Sequence, residues 1–249
     1  MRSRSLRFMV HGLAALGGGM PHRRTAFLFG LWMACVFAGH AFAQADDASV
    51  PWTDGPVEGV SLGDWTAQWW RWAQDAAIEP YRDPDGRLCD MDQSGPVWFL
   101  AGTDGTFEPT RRCVVPEGKY LLLPVINMYY QYSAPPGQPA DCSQLQTRAA
   151  VNNDRLVSAV VVLDGKPLGD MRLHRVRSDG CFALDPEDAS SPLAAADGYW
   201  LMLKPLPRGH HTISVGANYG APDQAYGNMV QNFEYELDVG GRMLLGMRE

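Results

Sequence analysis

MVQNFEYELDV (residues 229–239) decides the fold class. Phe233, Tyr235, Leu237 and Val239 alternate with Asn232, Glu234, Glu236 and Asp238. A period of two places the apolar set on one face of a strand and the polar set on the other. Seven other stretches read the same way: 95–102, 111–115, 119–130, 155–165, 171–178, 198–206 and 210–219. They are short, rich in Val, Leu, Tyr and Trp, and separated by Asp-Gly, Pro-Gly or Glu-Gly turns. About eight strands at this spacing predict an all-β fold, a β-sandwich or a jelly-roll-like arrangement.

One segment breaks the pattern. In SLGDWTAQWWRWAQDAAIEP (61–80), Trp65, Trp69, Trp72 and Ala76 recur at helical spacing. Ser61 followed by Asp64 resembles a capping box, and Pro80 stops the pattern. The spacing predicts one N-terminal Trp-rich helix. Residues 133–153 read as a long loop with room for one helical turn, held by Cys142.

The first 43 residues are expected to be removed. MPHRR, an apolar run, and the small residues Ala41 and Ala43 form the pattern of a cleaved secretory signal, with Gln44 as the mature start. Residues 1–19 are long for a basic leader, so Met20 is the expected initiator in preference to Met1. The twin Arg23-Arg24 is a weaker sign of a twin-arginine signal. Residues 44–60 read as a flexible lead, and 61–249 as a single β-sandwich domain. The expected location is periplasmic or secreted.

Charge narrows the partners. Five of the 21 basic residues precede Gln44 and none of the 28 acids does, which leaves 16 basic against 28 acidic and a net charge of −12. Such a chain offers no basic footprint for nucleic acid or anionic lipid. No later run is long and apolar enough for a helical membrane span. Four cysteines follow the leader, an even number that argues for two disulfides in an exported chain. Of three pairings, Cys89–Cys113 with Cys142–Cys181 is expected, because each pair brackets a compact segment. No CxxC spacing is present and three histidines remain, so no metal site is expected.

Candidate sites come with competing readings. Trp70 projects from a different helical face than its neighbours. With Tyr129, Tyr130 or Tyr132, or with Tyr219 or Tyr226, it is a candidate aromatic platform for a sugar or an apolar ligand, against burial in the core. Glu234, Glu236 and Asp238 share one strand face, as the acids of jelly-roll glycoside hydrolases do. Their order departs from the E-x-D-x-x-E of laminarinase-type enzymes, and a solvated face is the preferred reading. Asp83, Asp85, Asp90 and Asp92 form an acidic turn in which Ca²⁺ is a minor possibility. His211 is read as a hydrogen-bonded strand residue and His210 as solvent-facing. No GxSxG, SxxK or HExxH occurs.

Three blocks carry a family resemblance: DWTAQWWRW with DPDGRLC; QSGPVWFLAGT with RRCVVPEGKYLLLPVIN; and VVVLDGKPL through HRVRS to DGYWLMLKPLPRGHHTISVG. Together they resemble a family of uncharacterised secreted bacterial proteins with GPVxFLAG, VPxGKxxxxPVxN and DGxxxxLKPLxxGxHTI motifs, over roughly Asp64 to Gly216. The resemblance implies export and a β-rich domain, and brings no catalytic residues. PLPRGHHTISV also resembles a strand–turn–strand of immunoglobulin-like bacterial surface domains, where the histidine packs beside the turn. The expected function is an exported non-catalytic binding or structural module for an unknown glycan, small molecule or envelope protein, with no cofactor. The alternative is a carbohydrate-active hydrolase using the acids of 229–239.

Overall fold

The computed structural model describes residues 50–132, 141–222 and 227–241. The expected leader and Tyr226 lie outside the described residues. Along the chain come β1 (Trp52–Thr53), α1 (Leu62–Asp75), β2 (Val97–Phe99), β3 (Thr110–Val115), β4 (Tyr120–Tyr132), α2 (Cys142–Ala150), β5 (Leu156–Leu163), β6 (Lys166–Pro167), β7 (Arg175–Arg177), β8 (Phe182–Ala183), β9 (Leu193–Leu203), β10 (Gly209–Gly220) and β11 (Asn228–Val239).

The strands form two mixed sheets. In the first, β9 pairs antiparallel with β4, and β4 runs parallel to β2. The other edge of β9 is covered in turn by β1 at Leu203, β7 at Tyr199 and β8 at Ala194. The second sheet has the order β3-β11-β10-β5-β6, with β3 parallel to β11. Leu121, Leu123, Leu201 and Leu203 of the first sheet meet Val161, Ile213, Val215, Phe233, Tyr235 and Leu237 of the second in one core. This is the predicted β-sandwich.

Helix α1 adds a third layer, on the outer face of the first sheet. Ser61 accepts a hydrogen bond from the Asp64 amide at 3.0 Å, the predicted cap, and its hydroxyl also meets Asp179. Trp65, Trp69, Trp70 and Trp72 are all buried, with Leu122, Trp200 and Met202 beneath them. Three of these indoles find carbonyl acceptors: Trp65 on Val57, Trp69 on Leu100 and Trp72 on Met91.

Four expectations change in detail. Part of the expected flexible lead is docked: β1 pairs with β9, and Trp52 meets the His174 ring edge-on at 5.1 Å. Residues 171–178 are not one strand, because Met171–His174 form a 3-10 turn before β7. Residues 142–150, within the expected loop, form the full helix α2. Asp141 caps it by accepting from the Ser143 and Gln144 amides. Strand β9 starts five residues earlier than its predicted 198–206.

Both expected cysteine pairs are at disulfide distance, with Cα–Cα separations of 5.7 Å for Cys89–Cys113 and 5.6 Å for Cys142–Cys181. The first ties the 83–92 turn to β3. The second ties the start of α2 to the loop between β7 and β8. A buried network closes the same end. Asp197, fully buried on β9, accepts from Arg175 at 3.1 and 3.2 Å, from Arg177 at 2.8 Å and from Asn153 at 3.0 Å. No described helix is long and apolar enough to cross a membrane.

Candidate functional site

Of the candidate aromatic platform, Trp70 and Tyr129 come together, with Trp70 buried. Trp70 is 6 % exposed, and its ring lies 4.2 Å from that of Tyr129. Tyr129 in turn donates its hydroxyl to Gln74 at 3.1 Å. Tyr130 sits under the Arg148 guanidinium at 5.7 Å, and Tyr219 is buried. Tyr132 is exposed at the end of β4. The helix carries tryptophan on most of its circumference because it is covered by the sheet, by β2 and by the 83–92 turn together. The core reading of these aromatics therefore holds for Trp70 as well.

Glu234, Glu236 and Asp238 share the outward face of β11, as the alternation predicts. Glu236 is ion-paired with Arg112 on β3 at 2.7 Å. That hydrogen bond holds its carboxyl below the usual range, whereas a catalytic proton donor needs the opposite shift. Glu234 accepts from Ser214 at 3.3 Å. No aromatic ring shares this face among the outward residues of β3, β10 and β11, which are Thr110, Arg112, Thr212, Ser214, Asn232 and their neighbours.

In the acidic turn, Asp83 is spent on the turn's own backbone. Asp83 is 2 % exposed, and its carboxylate accepts from the amides of Asp85, Gly86 and Leu88 at 2.9–3.2 Å. Gly86 takes a φ of +95° with the Arg112 backbone against it, which explains glycine there. Asp85 is ionised by its contact with Arg87, which lowers its pKa to about 2. Among the described residues no group of three His, Cys, Asp or Glu side chains is gathered for a metal ion.

His211 fulfils its structural reading. One ring nitrogen lies 2.7 Å from Asp164 Oδ2 and the other 2.8 Å from the Pro207 carbonyl. Both bonds exist only when both nitrogens carry protons. Burial disfavours the imidazolium, but Asp164 and the Pro207 carbonyl outweigh it and raise the His211 pKa. Burial also opposes charge on Asp164, and the bonds from His211 and the Thr212 amide outweigh it, so the Asp164 pKa is lowered. The histidine stabilises the fold fully below its unfolded value of about 6.5, and that contribution fades as pH rises through the higher folded value. The aspartate contributes above about 3.9 and loses its contribution as pH falls through its depressed value. The stability gap between the native chain and His211→Gln should be widest between about pH 4 and 6.5 and narrow above that. Urea unfolding across pH 4–9 checks this; a gap of constant size would show that the imidazole titrates without regard to the fold.

A cleft lies where sequence reasoning did not point. It encloses about 570 Å³ between α1, the 92–94 turn and the 184–187 loop. Trp72, Phe99, Leu184 and Pro186 supply its apolar part, and the Trp72 and Phe99 rings stand 5.5 Å apart. Four carboxylates line it, Asp75, Asp92, Asp185 and Glu187, against the single cation Arg71. Arg71 is itself engaged: its Nε donates to the Ala183 carbonyl at 2.9 Å and its guanidinium lies over the Phe182 ring. The volume is that of an ordinary small-ligand site. Of these residues, Asp92 and Trp72 were singled out in the sequence for other roles. The DPEDASS run at 185–191 was the available signal for Asp185 and Glu187, yet nothing local tells which helix face such a loop approaches. Compared with protein-family models, with curated proteins and with solved structures, the chain matches none.

Proposed function

We propose that this chain is an exported, non-catalytic binding module whose ligand is a cationic group with apolar surface, held in the cleft between α1 and the 184–187 loop. The observation that carries the reading is that cleft: four carboxylates, one committed arginine and a Trp72–Phe99 floor. A basic side chain or organic amine would lay its apolar part on the rings and its charge among the carboxylates. The net charge of −12 after the expected leader would draw such a ligand from solution. Export is supported by the leader pattern and by two cysteine pairs at bonding distance.

The test is calorimetric titration with tetralysine and tetraarginine, with tetraglutamate as control. Basic peptides should bind, more weakly as salt rises. The double variant Asp185→Asn, Glu187→Gln should weaken binding roughly three- to tenfold, the range of exposed charge pairs. Equal affinity in that variant, or binding of tetraglutamate, would refute the cleft as the site.

A further inference from the structure

A second hollow lies on the outward face of the β3-β11-β10 sheet and shares no residue with the cleft beside α1. It encloses about 410 Å³ over Thr110, Ser214, Asn232 and Glu234, with Glu108 at its wall. Beside it, sharing Glu108 and Asn232, lies a smaller hollow of about 130 Å³ lined by Phe107 and Val230. One end of this groove is therefore polar and the other carries a half-exposed aromatic ring.

The wall is held rigidly. The 103–109 loop is fastened to β11 by Gln231, whose Oε1 accepts from the Thr103 amide at 2.9 Å and whose Nε2 donates to the Thr103 carbonyl at 2.7 Å. Thr103 Oγ1 donates to the Phe107 carbonyl at 3.0 Å. Asn232 then donates to Glu108 at 2.9 Å across the groove. A site held this way gives up little conformational freedom on binding.

The lining selects its ligand by what it lacks. The sheet's backbone groups under the groove are paired within the ladder, so recognition falls to side chains. The polar side chains of the groove are two carboxylates, one amide and two hydroxyls, and among the described residues no cation lines it. An anionic ligand would meet two carboxylates of its own sign and no opposite charge among these residues. Two carboxylates without a third do not make a cation cage, in keeping with the lack of any three-ligand cluster among the described residues. Carboxylates accept and never donate when ionised, and adjacent hydroxyl groups of a sugar are their natural donors. An amide and two hydroxyls supply both senses of hydrogen bond beside them. Phe107 offers an aromatic surface at one end for the apolar face of a sugar ring. We propose that this groove is a binding site for a neutral oligosaccharide, with Glu108, Asn232 and Glu234 bonding its hydroxyls and Phe107 packing against a ring.

The test is a titration of the purified protein with cellohexaose, laminarihexaose and chitohexaose, with hexagalacturonate as the charged control, read by calorimetry and by backbone amide NMR shifts. At least one neutral hexasaccharide should bind, with shifts confined to residues 105–110, 214 and 230–236. Glu234→Gln, a near-isosteric change on an exposed strand face, and Asn232→Ala should each weaken binding about tenfold. Asp185→Asn, in the other cleft, should leave it unchanged. Failure of all three neutral probes to bind at millimolar concentration would overturn the proposal. So would equal affinity for hexagalacturonate, or native affinity in both groove variants. Release of shorter products would overturn it as a plain binding site and restore the hydrolase reading.

Discussion

Arg111→Met should destabilise the protein by about 2–5 kcal/mol, from buried carbonyls left without their donor and the packing lost with the guanidinium. Arg111 is 1 % exposed and points inward from β3. Its Nε donates to the Asp83 carbonyl at 2.7 Å, and one terminal nitrogen donates to the Ala101 carbonyl at 2.7 Å and to Tyr235 Oη at 3.1 Å. The other terminal nitrogen donates to the Tyr81 carbonyl at 3.3 Å. The Tyr235 ring lies 5.5 Å from the guanidinium. One side chain thus joins the 81–83 turn, the chain after β2, and β11. Methionine keeps much of the volume but donates nothing, so the Asp83 and Tyr81 carbonyls lose this donor, while the Ala101 carbonyl keeps the Tyr235 hydroxyl at 2.9 Å. Each unmet group costs about 1–3 kcal/mol, less whatever relaxation admits water. Arg111→Lys should recover only part of the loss, since one ammonium does not match the fork. Tyr235→Phe gives the companion variant, and the pair should show coupling of about 0.5–3 kcal/mol in a double-mutant cycle. Urea midpoints measure all four proteins. An Arg111→Met midpoint equal to the parent's would mean that the network carries no net stability.

The same arginine marks where sequence reading stops. In TRRCVV the alternation already places Arg111 in phase with Cys113 and Val115, on the inner face. Charge argues the other way, and only the carbonyls gathered from residues 81, 83 and 101 explain why the phase prevails. Strand β11 was legible because one face is wet and one is buried, so its period of two survives in the residues. Strand β9 was only half legible for the converse reason. From Ala194 to Leu203 every residue is buried, with α1 on one side and the second sheet on the other, and alternation disappears. Its first half, AAAD, carries no strand signal, because the alanines are small to admit the layers packed on them. The cysteine pairing was legible from spacing. The cleft was not, because its carboxylates come from a helix, a nearby turn and a loop more than ninety residues further along the chain. The groove was legible in one residue, Glu234. Its wall, Glu108, belongs to a loop whose position depends on Gln231, a buried amide that reads as an ordinary strand residue.

Trp69→Ala should cost about 3–5 kcal/mol, the range for removing a buried aromatic and leaving a cavity. Trp69 is 1 % exposed at the centre of the layer between α1 and the first sheet. Its ring lies 4.9 Å from Trp70, 5.7 Å from Trp72 and 5.5 Å from Trp200, all edge-on, the geometry favoured by the ring quadrupoles. Its Nε1 donates to the Leu100 carbonyl at 2.7 Å. Two losses therefore combine, the buried surface and the bond. Trp69→Phe separates them: it keeps most of the surface and should cost about 1–3 kcal/mol through the unmet carbonyl and a smaller void. The neighbours are large and held from several sides, so collapse into the space is limited and the upper part of the range is expected. The effect also reaches the cleft. Trp72 leans on Trp69 and lines the cleft with Phe99. A folded Trp69→Phe protein should accordingly bind tetralysine more weakly than the parent, while Glu234→Gln should not alter that binding. Denaturant midpoints and the same calorimetric titration measure both effects. A Trp69→Ala midpoint close to the parent's would mean that α1 is not docked on the sheet in solution, and the Trp72–Phe99 floor of the proposed site would fall with it.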